Sequence, residues 1–263
     1  RLPKWPQIAQ KLPTTTTLRI LSFWISLSCY LPHMSNLKMW AIIPARGGSK
    51  GIPRKNVKIF RGKPLINHTI EQALASKHVT RVIVSTDDED IAAIARAAGA
   101  EVPFMRPTEI SQDMSTDLEF MQHATQWFRE NEGCIPQAWL HLRPTYPLRK
   151  VIDIDSACQL WQQGEYDSLR SVVPTEHSVF KSYTVVDGSL KPIFPKLGDI
   201  QEPFNMPRQM LPQSFQHNGC IDIVAVKTIQ ANSMSGTNIK AFVMDALETR
   251  DLDTKEQFNA SNY

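Results

Sequence analysis

No two of the four cysteines in this 263-residue chain stand at C-x-x-C spacing, and none joins a Cys/His cluster with zinc-ligand spacing. Cys29, Cys134, Cys158 and Cys220 are therefore expected to be reduced thiols, buried as small hydrophobes, and neither a metal site nor a disulfide framework is expected. Charge of one sign is also scarce. A formal net charge of +3 excludes the broad basic face of a nucleic-acid binder, so no such partner is expected. The N-terminal apolar stretch, residues 18–31 with Arg19 inside it, is shorter than the ~20 residues a membrane span needs, so no membrane partner is expected. Its one small-x-small triplet, Ser26-Leu27-Ser28, lies within the stretch rather than after it, a poor signal-peptide cleavage site. Two familiar phosphate-binding patterns are missing as well. Neither the Walker spacing Gly-x4-Gly-Lys-Ser/Thr nor the dinucleotide spacing Gly-x-Gly-x-x-Gly occurs.

What is present is the composition of an ordinary folded protein. With 42% hydrophobic and 21% charged residues, global disorder is excluded, and the length suits one elaborated α/β domain. Residues 1–38 differ from the rest: Pro3, Pro6 and Pro13, a run of four threonines and the interrupted apolar stretch precede the first convincing strand. They are read as an N-terminal extension outside the core, non-native or dispensable, with residues 39–263 as the folded domain. From residue 39 onward, apolar runs of strand type alternate with 3.6-period segments. Strands are expected at 40–44, 81–86, 102–105, 138–142 and 168–174, and helices at 64–76, 89–98, 116–130 and 151–163. Pro64 suits a first helical turn and Gly99 a C-terminal cap. This alternation predicts an α/β three-layer sandwich with a mostly parallel sheet, whose ligands gather beyond the carboxyl ends of the strands. The rhythm breaks after Pro174. Residues 178–216 carry short strand-like pieces at 182–186 and 190–194 and read as an excursion, a hairpin arm suited to dimerisation. Core strands return at 219–227 and 240–244, and a last helix begins near Thr254.

The first strand runs into Ala45-Arg46-Gly47-Gly48-Ser49-Lys50-Gly51-Ile52-Pro53-Arg54-Lys55-Asn56. Three glycines let the backbone turn with its N–H groups toward an anion. Arg46 can fork onto phosphate oxygens while Lys50 and Lys55 act as point charges, and Arg54 and Lys58 add to the cluster. Several cations at one glycine-rich turn suit a triphosphate whose leaving group needs stabilising. Much later, Asp251 and Asp253 stand two residues apart. In extended backbone that spacing puts both carboxylates on one face, where they can share a hard cation. The other reading of Asp253 is a helix N-cap before Thr254-Lys255-Glu256.

The motif at 45–56 resembles the opening of the acylneuraminate cytidylyltransferases. Five further blocks recur in the family's order: Val84-Ser85-Thr86-Asp87; Arg106-Pro107 with Asp113 and Ser115; Pro144-Thr145 with Pro147-Leu148-Arg149; Pro207-Arg208-Gln209 through Asn218-Gly219; and Asp251-Leu252-Asp253. The resemblance covers residues 39 to about 258. It implies a Rossmann-like core, a homodimer, Mg²⁺ as cofactor, and transfer of CMP from CTP to an acidic sugar with release of pyrophosphate; the cysteines, read as reduced thiols, point to a cytoplasmic location. It implies that Arg46, Gly47, Gly48, Ser49, Lys50, Lys55 and Asn56 hold CTP, that Arg106, Asp113, Ser115 and Thr116 recognise cytosine, and that Asp251 and Asp253 bind the metal. Arg46, Lys55, Asp251 and Asp253 form the implied catalytic set. Arg143, Lys181, Arg208, Gln209 and Asn218 match sugar-side positions. There the chain departs from the pattern: Arg143 replaces a glutamine, Asp222 an aromatic residue and Asp117 a small one. Arg143 and Asp222 are expected to compensate one another. The departures leave the sugar open among nonulosonic and related 3-deoxy-2-ulosonic acids. Two alternatives remain beside this reading, a nucleotidyltransferase for a different sugar substrate and a non-catalytic nucleotide-binding relative.

Overall fold

The computed structural model describes residues 39–246 and 251–261; the expectations for residues 1–38 lie outside them. Eight strands of three or more residues occur there: β1 Met39–Pro44, β2 Val79–Ser85, β3 Ala138–His141, β4 Ser168–Pro174, β5 Tyr183–Val186, β6 Ser189–Pro192, β7 Phe215–Ala225 and β8 Ile239–Val243. The α-helices are α1 Leu65–Ala75, α2 Glu89–Ala97, α3 Asp117–Asn131, α4 Val151–Trp161, α5 Val226–Gln230 and α6 Lys255–Ser261.

Six strands form the central sheet in the order β8-β4-β7-β3-β1-β2. β1 runs parallel to β2 and β3, and β8 parallel to β4, while β7 runs antiparallel to both of its neighbours. Because side chains alternate across a strand, β1 needs two apolar faces to sit centrally, and it has them. Ala41 and Ile43 pack with Ile66, Ile70, Ile91 and Ile154 of α1, α2 and α4; Ile42 packs with Phe120 and Phe128 of α3 and with Trp139. The result is the expected mostly parallel three-layer sandwich. From β1 the chain passes to β2 on one side and later to β3 on the other, so the carboxyl end of β1 lies at a topological switch point, where such sheets bind ligands.

Local chemistry sets the helix ends. Asp88 caps α2 by accepting from the Ile91 amide at 3.0 Å, with Glu89 and Asp90 in the first turn. Thr116 and Glu119 form a capping box on α3. Gly99, at φ +92°, ends α2 in the left-handed conformation. Pro64 precedes α1 instead of entering its first turn.

Three further expectations change. Residues 102–105 form no strand: Glu101 alone bridges to Ile83, and Pro103, lacking an N–H, cannot extend the pairing. The expected strand 219–227 begins earlier, at Phe215, and ends at Ala225, where Val226 starts α5. Among the cysteines, Cys158 and Cys220 are buried free thiols, but Cys134 is disulfide-bonded, against the expectation of reduced thiols throughout. The excursion between β4 and β7 is a β5–β6 hairpin whose two-residue turn, Asp187-Gly188, has positive φ at both positions, as the right-handed twist of a tight hairpin favours. It carries Val185, Val186 and Leu190 exposed.

Candidate active site

A cleft of about 440 Å³ opens at the carboxyl ends of β1 and β3. One wall is the loop after β1. Ala45 keeps pairing with Ser85, and the chain then turns across the strand end. Of the five basic residues in this stretch, the fold separates three from two. Arg46, Lys50 and Lys55 line the cleft. Arg54 instead bridges Asp88 (3.2 Å) and Asp90 (2.7 Å) at the head of α2, and Lys58 lies over the ring of Phe258. Arg54 and Lys58 thus hold the loop in place. Asn56, buried, donates to the Arg46 carbonyl at 3.0 Å and fixes that backbone while also facing the cleft.

The glycines act differently from the expected anion nest. None of Gly47, Gly48 and Gly51 has positive φ, the Gly47 N–H is already given to Asp87 at 3.0 Å, and neither Gly47 nor Gly48 lines the cleft. Close approach is what demands glycine at two of them. A Cβ on Gly47 would lie 2.7 Å from a carboxylate oxygen of Asp88, and one on Gly51 2.7 Å from the Asp253 carbonyl oxygen. Ser49 and Gly51 do line the cleft.

Gly51 therefore packs against the second wall, the segment carrying the paired aspartates. Leu252, fully buried, enters a small core with Ile52, Phe60, Leu65 and Phe258, and its N–H donates to the Thr145 carbonyl at 2.9 Å. Asp251 and Asp253 point the other way, as extended backbone requires. Lys55 meets Asp253 at 2.6 Å across 198 residues of sequence. The N-cap reading of Asp253 is excluded by its neighbours: Thr254 accepts from the Gln257 amide at 3.2 Å, Gln257 Oε1 accepts from the Asp253 and Thr254 amides, and the Asp253 carboxylate is free of the helix. Burial first, and then the adjacent Asp253, raises the Asp251 pKa to about 6. Lys55 outweighs burial at Asp253 and holds its carboxyl below the usual range.

Whether this pair suits a divalent cation can be tested on its donors. Asp251 Oδ1 is buried with no hydrogen-bond partner among the described residues, an acceptor left without a proton donor or cation. No group of three or more His, Cys, Asp or Glu suited to a metal occurs among those residues. Two carboxylates completed by ligand phosphates is the donor set Mg²⁺ uses in nucleotide sites. The residues fit.

The third wall comes from residues 106–117 and from Arg143. Arg106 is buried, donating to the Ser85 hydroxyl (3.0 Å) and carbonyl, and burial lowers its pKa to about 10, so it remains charged at neutral pH. Asp113 reaches back to the loop, meeting Arg46 at 3.1 Å and Lys50 in a short contact, while Arg46 also donates to the Gln112 carbonyl at 2.7 Å. Asp113 thus pairs with two cations of the first wall and offsets one of their two charges. Ser115 accepts from the Gln112 amide at 3.0 Å, which shapes the turn below α3.

Arg143 is held from two sides, by Asp117 at 2.6 Å and by Asp222 at 2.9 Å. Asp222 is fully buried and also meets Arg170 (3.1 Å) and His217 (2.8 Å). Burial pushes its pKa up, but the His217 hydrogen bond and the two guanidiniums outweigh that and hold it well below the carboxylate range. The expected Arg143–Asp222 compensation is present; Asp117, Arg170 and His217 were not foreseen as members. The signal for Asp117 was in the sequence, as a second departure beside the first.

Several sugar-side candidates lie elsewhere. Lys181 donates to the Phe204 carbonyl at 3.3 Å within the excursion. Arg208 lines a separate pocket of about 30 Å³ with Thr175 and Ser178, and Gln209 belongs to the same short turn. Asn218 supports the wall from behind, accepting from the Ser171 hydroxyl at 2.6 Å and the Cys220 amide at 3.1 Å. Within one chain, none of these four lines the cleft.

Comparison with known proteins agrees with this picture. A sequence profile of the family described as cytidylyltransferase matches residues 40–185. The chain is 32% identical to post-translational flagellin modification protein B of Campylobacter coli over 82% of this chain and 90% of that one. It is 47% identical to the pseudaminic acid cytidylyltransferase of Campylobacter jejuni over 56% of this chain, a match spanning 63% of that protein. Among solved structures, a CMP:2-keto-3-deoxy-manno-octonic acid synthetase complexed with CTP superposes with a TM-score of 0.62 at 21% identity, covering 86% of this chain and 97% of that one. At that identity it speaks for the fold alone.

Proposed function

This chain belongs to the cytidylyltransferase family, and on that premise we propose that it transfers CMP from CTP to the anomeric hydroxyl of a nonulosonic or related 3-deoxy-2-ulosonic acid. The observation that carries the proposal is one cleft bringing three loop cations, Arg46, Lys50 and Lys55, to the same place as Asp253. The sugar hydroxyl oxygen bonds to the α-phosphorus, the bond from that phosphorus to the bridging oxygen breaks, pyrophosphate leaves and the hydroxyl proton is released. Arg46 and Lys50 exchange Asp113 for the triphosphate, giving charge-assisted contacts where negative charge grows on the leaving group. Lys55, already paired with Asp253, sits between phosphate and carboxylate charge. Arg106, Ser115 and Thr116 form the wall against which cytosine is read. Asp251 and Asp253 would hold Mg²⁺, which when bound neutralises phosphate charge and polarises the reacting phosphorus.

The exposed apolar side chains of the hairpin, Val185, Val186 and Leu190, support a homodimer through this arm, which would bring the partner's copies of Lys181 and Arg208 toward the sugar. Among the described residues no helix is long and apolar enough to cross a membrane; we place the enzyme in the cytoplasm, where CTP is available. The deciding experiment is Mg²⁺-dependent pyrophosphate release from CTP with a panel of 3-deoxy-2-ulosonic acids. Release that depends on one of the acids supports the reading; a folded protein that turns over none of them refutes it.

A further inference from the structure

The two aspartates of the pair are held by different means. Asp253 is exposed and meets Lys55 at 2.6 Å. Asp251 is half-buried, lies within hydrogen-bonding reach of the Asp253 carboxylate, and has its Oδ1 buried without a partner among the described residues. A carboxylate turns easily about its last bond unless something holds it, and two adjacent carboxylates repel. The group that holds Asp251 comes from the turn after β3.

Thr145 of that turn lines the cleft and reaches the aspartate segment twice. Its carbonyl accepts the Leu252 N–H at 2.9 Å. Burial pushes the Asp251 carboxyl up, and the Thr145 hydroxyl, hydrogen-bonded to it, draws it back down. The first contact is made by backbone and is open to any residue; the second needs a hydroxyl. Thr145 is itself firmly seated. Pro144 and Pro147 restrict the backbone on either side. Buried Arg149 donates to the carbonyls of Arg143 and Cys220, both at 2.9 Å, and to the Gln72 side chain at 3.1 Å. Gln72 in turn donates to the Pro147 carbonyl at 2.6 Å. The turn is thereby tied to α1 and β7 at both of its ends. On such a backbone a β-branched side chain has few rotamers, so the hydroxyl keeps one direction.

We propose that Thr145 is a positioning residue for the aspartate pair: its hydroxyl stops rotation of the Asp251 carboxylate, leaving the remaining oxygen presented beside Asp253 to a divalent cation. A partner of this kind touches the ligating group and not the metal, and its loss costs about 10–100-fold in metal affinity. The inference rests on the metal role proposed above for Asp251 and Asp253, and it adds the residue that orients them.

The test measures Mn²⁺ binding to CTP-loaded protein without an acceptor, so that nothing turns over, with the dissociation constant read from the spin-resonance signal of the free ion. Asp251→Asn sets the affinity left to the nucleotide and Asp253. Thr145→Val removes the hydroxyl at nearly constant volume and should weaken Mn²⁺ binding about tenfold, toward the Asp251→Asn value. Thr145→Ser restores the donor and should stay within about threefold of the wild type. CTP affinity without metal should not move, and thermal unfolding identifies the folded variants; Thr145→Ala serves if Thr145→Val is not folded. Wild-type Mn²⁺ affinity in Thr145→Val overturns the proposal. So does an equal loss in Thr145→Ser, which would reduce the role of Thr145 to packing, or weaker metal-free CTP binding, which would put Thr145 on the nucleotide. An Asp251→Asn protein that binds Mn²⁺ like the wild type refutes the metal assignment itself, and the inference falls with it. Wild-type protein that does not bind CTP refutes the proposed function instead.

Discussion

Leu252→Ala removes a neutral side chain and leaves every charge of the cleft in place, which makes it the sharpest probe of how the aspartate pair is held. Leu252 is fully buried among Ile52, Phe60, Leu65 and Phe258, between the two paired aspartates, of which Asp253 lines the cleft. Deleting a buried leucine to alanine costs about 2–5 kcal/mol, the higher end where the surroundings do not collapse. Here the neighbours belong to a small satellite core, so relaxation is easier and about 2–3 kcal/mol is the reasonable figure. Local docking of residues 251–261 rests chiefly on Leu252 and Phe258, each contributing about 1.5–3 kcal/mol of burial before ordering costs. The loss is therefore a large fraction of what keeps this segment seated, and the docked population should fall by a factor of about 30–150 relative to the undocked one. The assay is pyrophosphate release titrated with Mg²⁺ at saturating CTP. The expected result is an apparent Mg²⁺ requirement raised about tenfold or more, with much of kcat recovered at high metal and KM for CTP moved far less. Phe258→Ala, five residues from Asp253, the nearer of the pair, should reproduce it. A Leu252→Ala protein that melts lower but titrates with Mg²⁺ like the wild type would refute the idea that this small core positions the pair.

Asp113→Asn should bind CTP more tightly in the absence of metal, because Arg46 and Lys50 no longer exchange one anion for another; calorimetry across salt concentrations checks it, and weaker binding would assign Asp113 a direct ligand contact. Gly51→Ala places a methyl carbon 2.7 Å from the Asp253 carbonyl and should lower kcat at least about tenfold with a small change in melting temperature, read by parallel kinetics and thermal unfolding. Val185→Asp with Leu190→Asp should shift sedimentation to a monomer if the hairpin joins two copies. His141 supplies a pH dependence. Its folded pKa, near 3, lies below the unfolded value of ~6.5, so between them the unfolded chain binds the extra proton and stability falls as pH falls. By pH 5 the loss is at most about 2 kcal/mol, and His141→Leu should flatten the urea midpoint between pH 7 and pH 5.

The sequence made the first half of the fold legible because β1 has to be apolar on both faces and is followed at once by a turn that only a ligand or close packing explains. It could not sort the cations of that turn. Arg54 and Lys58 look like Arg46 and Lys50 in sequence, and only the arrival of Asp88, Asp90 and the Phe258 ring assigns them to structure. The antiparallel sense of β7 was equally hidden, since a strand buried on both faces reads the same in either direction. The Arg143 cluster was half legible. Asp222 at an unusual position signalled a compensation for Arg143, but the membership of Arg170 and His217 depends on cross-strand register between β4 and β7, which residue types do not encode.

The ion pair between Lys55 and Asp253 joins positions 198 residues apart, and that separation has a consequence in time. During synthesis the cationic loop and the Arg106 and Arg143 walls emerge long before the aspartates. A chain that ended short of residue 251 would keep Arg46, Lys50 and Lys55 but lack both carboxylates and the leucine that seats them. On the proposed assignment such a product would capture nucleotide without turning it over, and complete translation would be the step that licenses chemistry.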